Sequence, residues 1–200
     1  MMEAMLRSGS VLIALHYQNE VLHADGKIGL GVAKDNAARS DIVAAAARLL
    51  ASAREAGWPV LHVRIAFPPG HRGVLTNAPI FRNVVAAGAC EEGSWGASFH
   101  EGLGPVEGEP VVSHNRVNAF FDSPLEMHLR RLGARRLVMA GIATNSVVEH
   151  SARHAADMGY EVLVAHDACS AAKRSVHEAA LHNISLIGEL TTTSNLFPPA

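Results

Sequence analysis

A three-layer α/β/α, Rossmann-like fold around a six-stranded, mostly parallel sheet is what this sequence predicts, on three observations. Short apolar runs of strand length alternate with stretches in which apolar residues recur at helical spacing. Glycines stand where those helical stretches stop, at Gly57, Gly133 and Gly159. The length, 200 residues, suits one domain with a full-sized core. Residues 1–200 are therefore read as a single domain, with residues 1–9 as a flexible N-terminus.

The elements follow in order. Val11–Leu15 reads as a buried strand that opens abruptly into polar residues from His16 to Glu20. Lys34–Asn36 leads to a helix over about Ser40–Glu55. Pro59–Phe67 is the second strand, broken by PPGHRG. Val74–Pro110 is irregular, with a short helix near Ile80–Ala87; so long a Gly-rich connection is usually functional. Pro110–His114 is the third strand and Pro124–Leu132 an amphipathic helix. Arg136–Gly141 is the fourth strand, followed by a helix over Thr144–Met158. Glu161–Ala168 is the fifth strand and Ser175–Ile187 the last long helix. LTTTSNL closes the chain with a short edge strand. Such parallel sheets bind ligands beyond their strand C-terminal ends, where strand order reverses. His16, His114 and Gly141 each stand at such an end, so three segments point at one crevice.

Composition narrows the function. Apolar residues make up 48% and charged residues 18%, which is globular rather than disordered. The net charge of −2 leaves no electrostatic footprint for nucleic acid or an acidic membrane. No apolar run approaches the ~18 residues of a membrane span, and MMEAMLRSGS lacks the apolar segment of a signal peptide. Cys90 and Cys169 form no CxxC or zinc spacing. The expectation is a cytoplasmic, reduced protein acting on a small molecule, with no cofactor. Twelve histidines gain charge as pH falls through about 6.5. His128, His154 and His182 fall on predicted helices, as solvated or core-edge groups.

Several segments together carry a resemblance. ALHYQNE, GWPVLHVRIAF, the run from PVVSHNRVNAFF to HDACSA, and VHEAALHNISL resemble the isochorismatase-like hydrolase superfamily, from about Val11 to Leu196. The resemblance implies the isochorismatase-like version of the fold and a homo-oligomer, dimer or tetramer. It also implies three catalytic positions in the amide-cleaving members: an Asp ending the first strand, a Lys ending the third, and a Cys one turn into the helix after G-[VI]-x-T. This sequence departs at all three, with His16, His114 and Val147 in those slots. Valine has no lone pair, so covalent chemistry at that slot is excluded. Neither Cys90 nor Cys169 matches the nucleophile position. The resemblance also implies that isochorismatases proper include members without the cysteine, which cleave a vinyl ether by acid–base chemistry supported by the Asp and Lys, so replacing those two is the more serious departure.

Two imidazoles retain two proton carriers with ordinary pKa values near about 6.5. Protonating one lowers the other, so His16 and His114 can serve as acid and base for hydrolysis or lyase-type cleavage of a C–O or C–N bond. A metal is a second reading, with Glu20, His71 or His100 as a third ligand, but the D-x-H motif of metal-bearing nicotinamidases is absent from VRIAF. A third reading is an inactive member that binds a small molecule or a partner protein. Backbone N–H groups around Ile142, Ala143, Thr144 and Val147, where a helix begins, suit a developing negative charge, and the resemblance implies a cis bond at Ile142–Ala143. Tyr17, Phe67, Trp95, Phe120 and Phe121 are candidate pocket walls; Gln18, Arg116, Asn118 and Asn145 are candidate polar contacts, and Arg116 favours a carboxylate. Ser146 is expected to point elsewhere, about 100° around the helix from Val147. Asp167 reads as structural.

Overall fold

The computed structural model describes residues 9–32 and 38–198; residues 1–8 and the Lys34–Asn36 lead-in lie outside these. Six strands form one parallel sheet: β1 (Ser10–Leu15), β2 (Val60–Ile65), β3 (Val111–His114), β4 (Arg136–Gly141), β5 (Glu161–Ala165) and β6 (Glu189–Thr191), in the spatial order β3-β2-β1-β4-β5-β6. β1 lies at the centre, between β2 and β4, and all six of its residues are buried. A strand covered on both faces needs side chains that leave no polar group unpaired, which is why SVLIAL is almost continuously apolar. Each buried Leu or Ile there contributes about 1.5–3 kcal/mol relative to exposure. β3 is an edge strand and alternates exposed and buried residues, ending on buried His114.

Helices α1 (Asn19–Leu22), α2 (Arg39–Glu55), α3 (Pro79–Ala87), α4 (Leu125–Arg131), α5 (Glu149–Asp157), α6 (Arg174–Ile184) and α7 (Thr193–Leu196) complete the chain. α2 packs with α7, while α5 and α6 pack together. The strand order reverses at β1, so right-handed crossovers carry these two groups to opposite faces. The reversal also opens a crevice between the C-terminal ends of β1 and β4. β4 approaches β1 so closely that a Cβ at Gly141 would lie 2.1 Å from the Leu15 carbonyl oxygen.

Three elements differ from the sequence expectation. The helix expected from Thr144 begins as a π-helical turn, Thr144–Val148, before α5. β5 stops at Ala165 because His166–Ala168 turns as a 3₁₀ helix, in which the Tyr17 hydroxyl donates to the Ala168 carbonyl (2.7 Å). The last long helix ends at Ile184 rather than Ile187. Asp167 accepts the Thr193 N–H at the start of α7.

The long connection before β3 is pinned from below. Buried Glu20 accepts the N–H groups of Lys27 (2.8 Å) and Cys90 (2.9 Å). Gly96 sits against this carboxylate, and a Cβ there would lie 2.0 Å from Oε2. Among the described residues no helix is long and apolar enough to cross a membrane.

Candidate active site

His16 follows β1 and is held by its N–H donating to the Val63 carbonyl (2.8 Å). Its φ of +54° is left-handed, a region that His visits more readily than branched residues. His114 ends β3, and its carbonyl accepts the Ala66 N–H (2.9 Å). β2 separates these strands, a lateral gap of about 9–10 Å, and the two side chains close it. The Nε2 atoms lie 2.5 Å apart, with ring centroids at 4.8 Å and planes tilted 34°. Both residues are buried, at 6% and 4% exposure.

Burial governs the charge of this pair. It drives the His16 pKa well below its usual value, and the neighbouring His114 adds to the effect. His114 falls to about 4, again by burial, against a weaker upward pull from the Asn118 backbone. His114 Nδ1 has no hydrogen-bond partner among the described residues. Both rings are therefore neutral near pH 7, with one Nε2–H shared between them.

His16 lines a largely enclosed cavity of about 50 Å³. Its walls are apolar, from Ile28, Leu30, Ile65, Ile80, Phe81, Val84 and Ile142, with Arg116, Ser146 and Cys90 as further polar groups. The cavity adjoins an open groove of about 440 Å³ bordered by Asn145, Glu149, His150 and Arg153, and Leu30, Ile80, Val117 and Ser146 belong to both. The Arg116 guanidinium lies 4.9 Å over the Phe81 ring. Among the described residues it pairs with no carboxylate.

The cradle after β4 is only partly available. Ile142–Ala143 is cis, and both residues line the cavity. The Ile142 N–H, however, donates to Leu15 O (3.0 Å) and the Thr144 N–H to Ser170 O (2.8 Å). Thr144 is fully buried, with its hydroxyl on His177 Nδ1 (2.7 Å). Val147 is buried in the core rather than lining the cavity. Ala143 remains, lining the cavity with its N–H unpartnered among the described residues. Ser146, expected to face away, lines both cavity and groove. A π turn rotates each residue by less than an α-helix does, so the 100° reckoning fails there.

Several candidate contacts are placed elsewhere. Tyr17 is a core residue. Gln18 is buried and tied to β2, donating to Ile65 O (2.9 Å) and Ala97 O (2.9 Å) and accepting the Ile65 N–H (2.8 Å). Phe67 packs in a second core cluster with Phe81, Val84, Ala89 and Cys90. Trp95 is half-exposed, edge-on to His23 at 5.0 Å. Phe120 stacks on His154 at 5.0 Å. Tyr17, Gln18, Trp95 and Phe120 are claimed by backbone or ring partners outside the crevice, and Phe67 packs against the cavity-lining Phe81, Val84 and Cys90 without lining the cavity itself. Asn118, whose Oδ1 accepts the Phe120 N–H (2.9 Å), borders an outer groove with exposed Phe121 and Leu75. Asn145 borders the groove beside Ser146, its buried Oδ1 unpartnered among the described residues.

Glu20, His71 and His100 do not line the cavity. Among the described residues no three His, Cys, Asp or Glu side chains gather to hold a metal. Cys90 lines the cavity and Cys169 does not; burial pushes both thiols up to about 12. Sequence reasoning missed the apolar lining from α3, because an amphipathic helix in an irregular region carries no label for what it covers.

The comparisons with known proteins agree with this architecture. The family profile described as Isochorismatase domain matches residues 10–195. The chain belongs to the isochorismatase family. It is 31% identical over 147 residues to the uncharacterized isochorismatase family protein YecD of Escherichia coli O157:H7, covering 72% of this chain and 74% of that protein. It is 34% identical over 152 residues to maleamate amidohydrolase of Pseudomonas putida, covering 74% and 68%. An isochorismatase family protein from Desulfovibrio vulgaris superposes with a TM-score of 0.80 at 27% identity, over 94% of this chain and 96% of that one.

Proposed function

We propose that this chain is a family hydrolase that works without a cysteine nucleophile, by acid–base chemistry of the His16–His114 pair on a small substrate. The observation that carries this reading is the 2.5 Å contact between two buried, neutral imidazoles, one of which borders a cavity. A neutral imidazole can take a proton from water as the water oxygen attacks an acyl carbon. The same proton then goes to the departing nitrogen or oxygen as the C–N or C–O bond breaks. The Ala143 N–H is the donor available to the carbonyl oxygen. A cavity of about 50 Å³ takes an acyl group, and the adjoining groove takes the remainder. Arg116, which lines the cavity and pairs with no carboxylate among the described residues, suits a carboxylate on the substrate. The relatives named amidohydrolases favour an amide over an ester. Assembly as a homo-oligomer belongs to the same reading and is checked by light scattering.

The alternative is a silent member that binds a small molecule or a partner protein. The small cavity and the depressed basicity of both rings favour it. A turnover screen of small amides, esters and enol ethers against wild type, His16→Ala and His114→Ala separates the two. Equal behaviour of all three proteins ends the acid–base reading; hydrolysis lost in His16→Ala supports it.

A further inference from the structure

We propose that the substrate is an N-acylated apolar α-amino acid, whose side chain lies in the outer groove between Leu75 and Phe121 while its carboxylate meets Arg116. This rests on the acid–base reading of the His16 cavity and deepens it by naming the amine that leaves.

The outer groove holds about 430 Å³ and adjoins the cavity, because Phe81, Arg116 and Val117 line both. Leu75 and Phe121 line the groove alone, and each is 60% exposed. Two large apolar side chains facing one groove favour an apolar occupant. No carboxylate lines the groove among the described residues, so Arg116 sets the charge at its inner end. The guanidinium lies 4.9 Å over the Phe81 ring. Stacking of this kind fixes its plane and leaves the N–H fork to a carboxylate.

Each part of this arrangement limits the substrate. The cavity beside His16, about 50 Å³, holds roughly three or four water-sized groups at ~10–15 Å³ each. That suits a formyl or acetyl group and no long acyl chain. Arg116 lines the cavity as well as the groove, so a carboxylate paired with it lies close to the scissile nitrogen. Leu75 and Phe121 stand only on the groove side, so an apolar substituent reaches them from the same junction. A carbon that carries the nitrogen, a carboxylate and an apolar side chain is the α-carbon of an amino acid. Hydrolysis breaks the bond between acyl carbon and nitrogen. The hydroxyl of water goes to the acyl carbon and its proton, by way of His16, to the nitrogen. The products are a short carboxylic acid and an apolar amino acid.

The test compares release of acetate from N-acetyl-L-phenylalanine, from N-acetylglycine, which lacks the side chain, and from N-acetyl-L-phenylalaninamide, which lacks the carboxylate. For the first, kcat/KM is expected to exceed that of either other compound about tenfold or more. Phe121→Ser is expected to erase the preference over N-acetylglycine, and Arg116→Gln the preference over the amide. Equal cleavage of all three by wild type overturns the inference and leaves the acid–base reading standing. So does a Phe121→Ser protein that keeps the preference and changes only its mass by light scattering, since the groove then belongs to a second copy of the chain. If wild type cleaves none of the three, calorimetric Kd values for the same compounds decide. The expected order, lost in the two variants, supports the ligand class and counts against the hydrolytic reading alone. Binding of none, or binding in no order, overturns the inference.

Discussion

Two buried histidine clusters sit at opposite ends of the same edge of the sheet, and they are built on opposite electrostatic plans. At the N-terminal end of β3, Glu109 accepts two hydrogen bonds from Arg54 (both 2.8 Å), one from the Val106 N–H (3.0 Å) and one from His62 Nε2 (2.8 Å). Burial would raise the Glu109 carboxyl, but these donors outweigh it and hold its pKa at about 2. At the C-terminal end, His16 and His114 have only each other, and no counter-charge. Opposite charges that meet can be buried as ions; two like groups can be buried only as neutral bases. The first arrangement locks a loop to the sheet, and the second stores an uncharged proton acceptor beside a cavity.

The largest expected difference between the clusters is in function. His16→Ala is expected to reduce kcat/KM about 10³-fold while the thermal midpoint stays near wild type; a variant that keeps full activity removes His16 from the reaction. Glu109→Ala should do the reverse. Removing the carboxylate that accepts from Arg54 and His62 is expected to cost about 1–3 kcal/mol, read from the urea midpoint, with activity per folded molecule unchanged.

Acid should separate the two in turn. A histidine whose folded pKa is depressed stabilises the fold above about pH 6.5, and that contribution is lost as pH falls toward His114's folded value of about 4. The loss is up to about 3 kcal/mol. Glu109 contributes above the ordinary carboxylate range, and its share is lost lower, as pH falls toward about 2. Urea midpoints against pH are therefore expected to fall in two steps, and His114→Gln should blunt only the upper one. The smallest expected effect belongs to Val147→Cys. It places a thiol in the core rather than at the cavity, so activity should stay unchanged within twofold or so and stability within about 1.5 kcal/mol. A thiol-specific reagent should not label it in the folded protein, in keeping with the Cys90 and Cys169 thiols held near 12. Rapid labelling would mean that the slot is open.

Most of the sheet was legible because periodicity is local. β1, β2, β3 and β4 fall within a residue or two of their predicted bounds, since an apolar run between turn residues needs no distant partner to be recognised. The convergence of His16, His114 and Gly141 was legible too, as strand ends in a parallel sheet share one edge. The pocket walls were not. Tyr17, Phe67 and Phe120 look like pocket residues by type, yet each found a partner in the core or on α5. Ile80 and Phe81, from a helix in the irregular stretch, took the places at the cavity.

What the sequence determined by itself is the order of strands and helices, and the loss of a nucleophile at Val147, because both depend on residue type and spacing along the chain. What only the tertiary structure decided is the inequality of the two histidines. Left-handed backbone at His16, an intervening strand and the buried Asn118 turn bring the rings into contact and give just one of them the cavity. That outcome depends on distances across three strands, and no local pattern encodes them.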